Sequence, residues 1–398
     1  MPAALVNALK TSIQFKSYGE NEDYLAQGKP EPNVRWQNLI LCSNESRWWI
    51  KVTFRGEVDS TPDGMQNCRN DLQDFARIID YGSLPLLDNT VTELILEENP
   101  EKPDSQVILA TNQFPRNPFV KIAADLRWTF QEDPARVIYP LSDEFPSFRR
   151  FSSDKLSGKK KLSDGVFHVF DINNKNTPYI LKTVNRRLYE PHDTEVIRKE
   201  LENLEIFRGT PNIVQAAGIA VSTNPYMTLD TNDQPLVISG IVLEFCSGGS
   251  LEMVLSEHCL HQYPWERWPL QLATALYRIH KAGKAHMDIK PSNIVLDADA
   301  NAVLIDISGV GGMTYEWRSP EARDETLPNE LRNEVRWSND TWAYGKLLLE
   351  LVHHLQHSPG ASMLKQIADC LVVEDVHDRM TVHEAISALQ LVTDPTVV

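Results

Sequence analysis

The run His286-Met287-Asp288-Ile289-Lys290-Pro291-Ser292-Asn293 constrains this chain more than any other stretch. It sets a carboxylate, an ammonium and an amide on one tight loop. Shortly after it, the apolar run Ala302 to Ile305 ends on a second carboxylate, Asp306. Singly, each residue has an ordinary reading: His286 as a core histidine, Asp306 as a turn residue. Together they match one chemistry. Moving a phosphoryl group onto a hydroxyl needs a carboxylate to take the proton, a cation near the moving phosphate and an oxygen ligand for magnesium. Asp288, Lys290 and Asn293 supply these in turn, and Asp306 is a carboxylate suited to magnesium bridging the phosphates.

The surrounding pattern is that of an α+β chain. Short strands are expected at Val166 to Asp171 and Tyr179 to Val184, a helix from about Thr194 to Phe207, and strands near Ile213 to Val221 and Leu236 to Phe245. Beyond Ser250 the chain reads as helical, interrupted by HMDIKPSNIVL and VLIDISG. A β-rich small lobe, about 160 to 246, therefore feeds a helical large lobe, about 250 to 394. Residues 1–147 form a separate, small mixed α/β region. There Trp48 to Phe54 alternates as a strand does and Asp71 to Ile79 is helix-like. The stretch from about 131 to 165 is rich in Pro, Ser and charge and reads as a linker. Its basic run, Lys159 to Lys161, is a solvated part of that linker, with docking or targeting as the alternative.

The long motif resembles the catalytic loop of eukaryotic protein kinases, usually H-R-D-L-K-x-x-N, and Asp306 stands where the family has the aspartate of D-F-G. The resemblance continues in order. Thr314 to Glu321 (TYEWRSPE) is similar to T-x-x-Y-x-A-P-E, Asp340 to Gly345 to D-x-W-x-x-G, and Asp375 to Thr381 to D-x-x-x-R-x-T. It implies a two-lobed kinase domain over about 148–394, with ATP and Mg2+ as cofactors and a protein substrate. It also implies residue roles. Asp288, Lys290 and Thr314 would be catalytic, and Asn293 and Asp306 would hold the metal. Lys182 would contact phosphate, and Gly165 would lie in the phosphate loop. The backbone of Glu244 and Cys246 would meet adenine, with Leu243 guarding the back pocket, and Arg379 would pair with Glu321. The partner of Lys182 should be Glu200, which falls on the apolar face drawn by Val196, Ile197, Leu201 and Leu204. Glu205, or a solvated helix surface for Glu200, is the alternative. Lys290 and Thr314 fit the Ser/Thr class, and the pattern also resembles divergent kinase-like proteins of filamentous fungi.

Four departures stand against that pattern. The phosphate loop, LSDGVFHV, keeps only Gly165 of its glycines; Ile180 replaces the alanine that roofs adenine; the magnesium motif reads Asp306-Ile307-Ser308. Met287 takes the place of the arginine that pairs with a phosphorylated activation loop, and only five residues separate Ser308 from Thr314. A loop that short needs no arginine to read it, so activity is expected without loop phosphorylation. The alternatives are a pseudokinase scaffold and a kinase of small metabolites.

A net charge of −16 argues against nucleic acid as partner. The five cysteines, Cys42, Cys68, Cys246, Cys259 and Cys370, are scattered and suggest neither disulfides nor zinc. No stretch is long and apolar enough for a membrane span. A cytoplasmic or nuclear location is the expectation.

Overall fold

The structure is a computed structural model that describes residues 11–22, 32–43, 45–58, 65–99, 101–111, 113–229, 234–310, 314–324, 330–355 and 360–393. The chain forms two units. The first is Met1–Arg136 with Thr223–Pro235, and the second is Val137–Ser222 with Leu236–Val398.

In the first unit, β1 (Thr11–Glu20), β2 (Val34–Ser43), β3 (Ser46–Arg55), β4 (Val91–Glu98) and β5 (Leu126–Glu132) form one sheet in sequence order. Between β3 and β4, which run parallel, lies helix α1 (Met65–Ile78), as a parallel pair requires. A short α2 (Pro118–Ile122) precedes β5. The alternation read in Trp48 to Phe54 is real: Ile50, Val52 and Phe54 are buried against Leu72 and Phe75 of α1.

Thr223–Pro235 joins this unit although it sits in sequence inside the second. Arg47 donates to the carbonyls of Pro225 (2.8 Å) and Met227 (3.2 Å), and the Trp49 indole N–H also donates to Pro225 (3.0 Å). Asn89 and Thr228 exchange hydrogen bonds: the Asn89 amide to the Thr228 hydroxyl (2.9 Å), the Thr228 amide to Asn89 Oδ1 (3.1 Å). Tyr226 meets Trp49 edge-on, ring centres 5.4 Å apart.

The second unit opens with β6 (Arg150–Ser152), β7 (Leu156–Ser163), β8 (Val166–Asp171), β9 (Asn174–Thr183), helix α3 (His192–Ile206), β10 (Ala216–Ser222) and β11 (Val237–Glu244). The six strands form one sheet in the order β6-β10-β11-β9-β8-β7. A helical part follows: α4 (Leu251–Ser256), α5 (Trp268–Lys281), α6 (Asn333–His354), α7 (Ala361–Leu371) and α8 (Val382–Thr393), with the small ribbon β12 (Ile294–Leu296) and β13 (Ala302–Leu304). This is the β-rich lobe feeding a helical lobe that the sequence pattern implies. Among the described residues no helix is long and apolar enough to cross a membrane.

From Val137 onward the stretch read as a linker is instead integral to the second unit, while 131–136 belong to the first. Phe145, Phe148 and Phe151 are buried, β6 adds a parallel edge to β10, and Lys159 to Lys161 are exposed positions of β7. Composition misled here because Pro, Ser and charge outnumber the three phenylalanines, which carry the burial. Phe148 lies under the guanidinium of Arg208 at 5.2 Å. Phe148→Ala is therefore expected to destabilise the second unit by about 3–5 kcal/mol, measured by urea unfolding. A true linker residue would change stability by less than about 0.5 kcal/mol.

Candidate active site

Strand register fixes the upper half of the site. Lys182 pairs with Val166 on one side and Ile241 on the other, and Ile180 with His168 and Leu243. Directly opposed residues share a face, so these six side chains look the same way. The opposite face holds Phe151, Val169, Tyr179, Leu181 and Val242, which are buried together.

Helix α3 turns Ile197, Glu200, Leu201 and Leu204 inward. Glu200 is fully buried, and Lys182 Nζ reaches its Oε2 at 2.5 Å and Asp306 Oδ1 at 2.8 Å. Burial opposes the Lys182 charge, but the Asp306 and Glu200 carboxylates outweigh it and hold the lysine protonated, above its usual range. Burial pushes the Glu200 carboxyl up against the pull of Lys182, whereas Lys182 draws Asp306 down. Asp306 thus stays ionised, with its side chain 46 % exposed.

The lower half is the loop before β12. Asp288 Oδ2 accepts from Asn293 Nδ2 (2.8 Å) and Lys290 Nζ (2.7 Å); Oδ1 accepts from the Thr314 hydroxyl (2.9 Å) and amide (3.1 Å). Lys290 also donates to the Thr314 hydroxyl (2.7 Å). Asn293 Nδ2 bonds the Asp288 carbonyl as well, and among the described residues its Oδ1 accepts no hydrogen bond. The loop hangs from one buried carboxylate: Asp340 accepts the amides of His286 (2.8 Å) and Met287 (2.7 Å) and lies 3.0 Å from His280. His286 Nδ1 faces the Asp288 amide and Nε2 the Ile305 carbonyl, so the proton sits on Nε2. Met287 and Asp306 both adopt left-handed backbone, φ 71° and 57°, a strained conformation held by this network.

Gly165 forms the tip of the β7–β8 hairpin at φ +71°, and its carbonyl accepts from the Thr183 amide (2.7 Å) and hydroxyl (3.1 Å). It ends a tight turn folded onto β9 beside Lys182, where the family's loop would arch. Glu244 closes β11, its amide given to Gln215, and Cys246 follows it, half-buried. Burial, with Asp297 and Glu244 nearby, pushes the Cys246 thiol up to about 11, which favours the protonated thiol over the thiolate at neutral pH. Arg379 meets Glu321 with both nitrogens, 2.6 and 3.0 Å, and lies over Trp342 at 5.1 Å. That pair is structural.

Two residues went unread in the sequence. Asn203, buried on α3, donates to the carbonyls of Ile307 (2.6 Å) and Ser308 (3.2 Å). Its signal was available: with Glu200 it is a polar residue on the apolar face, one turn on. His168 shares its face with Ile180, and its ring meets Phe245 at 4.8 Å, so a ring and a branched side chain stand together on the Lys182 face of the sheet.

The donor set fits magnesium. This ion keeps most of its water and takes one or two protein oxygens beside substrate phosphates, and the Asp306 carboxylate with Asn293 Oδ1 offers those. Among the described residues no cluster of His, Cys, Asp and Glu makes an all-protein metal cage.

A profile of the family described as protein kinase domain matches residues 159–389. The hormonally up-regulated neu tumor-associated kinase of Homo sapiens is 30% identical over 161 residues, covering 38% of this chain and 20% of its own length. The mitosis inhibitor protein kinase mik1 of Schizosaccharomyces pombe is 29% identical over 198 residues, 46% of this chain and 32% of its own. Serine/threonine-protein kinase SSK22 of Saccharomyces cerevisiae is 26% identical over 192 residues, 40% and 13% respectively. The chain thus spans a third or less of the length of these relatives.

Proposed function

The chain belongs to the protein kinase family, and from that premise we propose that it transfers the γ-phosphoryl group of ATP to Ser or Thr of a protein substrate without activation-loop phosphorylation. One observation carries the reading. The Asp288 carboxylate is held among Lys290, Asn293 and Thr314, while the ion-paired Lys182 keeps a second carboxylate, Asp306, ionised and half-exposed. In this reading Asp288 orients the acceptor hydroxyl and takes its proton. Lys290 sits beside that hydroxyl and stabilises charge on the moving group. Lys182, fixed by Glu200, steadies the nucleotide phosphates, and Asp306 with Asn293 would hold Mg2+. When bound, ATP supplies the phosphoryl group and the metal spreads its developing charge.

The roof favours a second reading, a scaffold that keeps the fold without turnover. The tight hairpin at Gly165 and the His168–Ile180 pair leave less room for phosphate and adenine than glycine and alanine would.

Thermal unfolding with ATP or ADP separates the two. Nucleotide at about 1,000 times its dissociation constant is expected to stabilise the wild type by about 4 kcal/mol, more with magnesium than without it. Asp306→Asn should lose the magnesium increment. No shift at millimolar nucleotide would leave the scaffold reading standing.

A further inference from the structure

The position of Met287 raises a physical question. Its side chain is buried with Ala285, Leu331 and Trp337 in an apolar cluster, so position 287 offers no cation to the residues that directly follow Asp306. That segment is nonetheless fastened at three successive carbonyls. Asn203 of α3 donates to Ile307 (2.6 Å) and Ser308 (3.2 Å), and Arg336 of α6 donates through Nη2 to Gly309 (2.7 Å). Gly309 stands at φ +70°, and a Cβ there would come within 2.4 Å of the Ala285 carbonyl, so the segment is pressed directly onto the catalytic loop.

We propose that Arg336 is a positioning residue: its guanidinium, fixed on helix α6, clamps the Gly309 carbonyl and holds Asp306 in its ion-paired place, doing permanently what a loop phosphate does elsewhere. The physics supports a permanent clamp. An arginine keeps its charge at any ordinary pH, and a charge-assisted bond to a carbonyl is stronger than a neutral one. Arg336 sits on the first turns of a helix whose next turn, at Asp340, carries the catalytic loop through His286 and Met287. One rigid helix therefore sets the spacing of Asp288 and Asp306. The clamp deepens the proposed function and rests on it for its catalytic meaning, although the geometry exists in the nucleotide-free protein.

The test uses the full chain and begins without nucleotide. Hydrogen exchange of residues 304–310 should be about ten-fold faster or more in Arg336→Met, with β8, β9 and α5 unchanged and Arg336→Lys in between. Gly309→Ala, which forces the Ala285 contact apart, should loosen the same residues by an independent route. Phosphatase treatment should leave the wild-type exchange slow. In turnover, Arg336→Met should lower kcat by about 10- to 100-fold, with KM for ATP within about three-fold. Wild-type exchange at 304–310 in the Met variant, or protection lost on phosphatase treatment, would overturn the clamp. A wild type that binds no nucleotide and transfers no phosphate would overturn the proposed function, while the exchange data still decide the clamp.

Discussion

Asp288→Asn is expected to lower phosphoryl transfer by about 10²- to 10⁴-fold, the usual cost of removing a positioned general base, and to leave nucleotide binding intact. The geometry supports this separation. The Asp288 carboxylate is bound to Lys290, Asn293 and Thr314 and makes no hydrogen bond or ion pair with the Lys182–Asp306 pair, and under the proposed function that pair, not Asp288, serves the nucleotide. Asparagine keeps the shape and one acceptor oxygen but cannot hold a proton at neutral pH. The measurement is initial rate against a Ser/Thr peptide mixture, with the ADP thermal shift as control. A variant that turns over like the wild type would remove Asp288 from the chemistry altogether.

Lys182→Met should cost stability as well as activity. It strands Glu200, fully buried, without its cation and with one carboxylate oxygen that already lacks a hydrogen-bond partner among the described residues. Removing one member of a buried pair typically costs about 3–5 kcal/mol. The sign of its pH dependence follows from burial. Glu200 alone is pushed above its unfolded value, so its favourable, protonated form is present at acid pH and lost as pH rises through the folded value. The deficit against the wild type should therefore be largest near pH 8 and narrow towards about pH 5. Urea unfolding at both ends of that range checks it; equal deficits would mean that Glu200 has found another partner.

How legible this molecule is from its sequence depends on what each residue must do alone. The loop from His286 to Asn293 can be read because its chemistry demands given groups at given spacing. The choice of Glu200 rested on periodicity, and the structure sets it 2.5 Å from Lys182. Elsewhere the deciding contact is distant in sequence and leaves no local trace. Nothing in the neighbourhood of Arg336 points to Gly309, and the plain stretch Thr223–Pro235 carries no pattern that assigns it to the first unit. Phe145, Phe148 and Phe151 were misjudged because polar neighbours masked them. The departure at Met287 was read as a missing cation, although what matters physically is the apolar cluster that fills the space.

The passage of Thr223–Pro235 into the first unit has a consequence for the growing chain. A nascent polypeptide normally completes its earliest domain before the next one emerges. Here the strands made first must wait for a piece made much later. At about 5–20 residues per second, the delay between Arg136 and Thr223 is on the order of ten seconds. During it Arg47, Trp49 and Asn89 stand without the carbonyls, ring and hydroxyl that they finally engage. The two units are thus bound together in time: the first is complete only once Thr223–Pro235 has been made, part-way through the second.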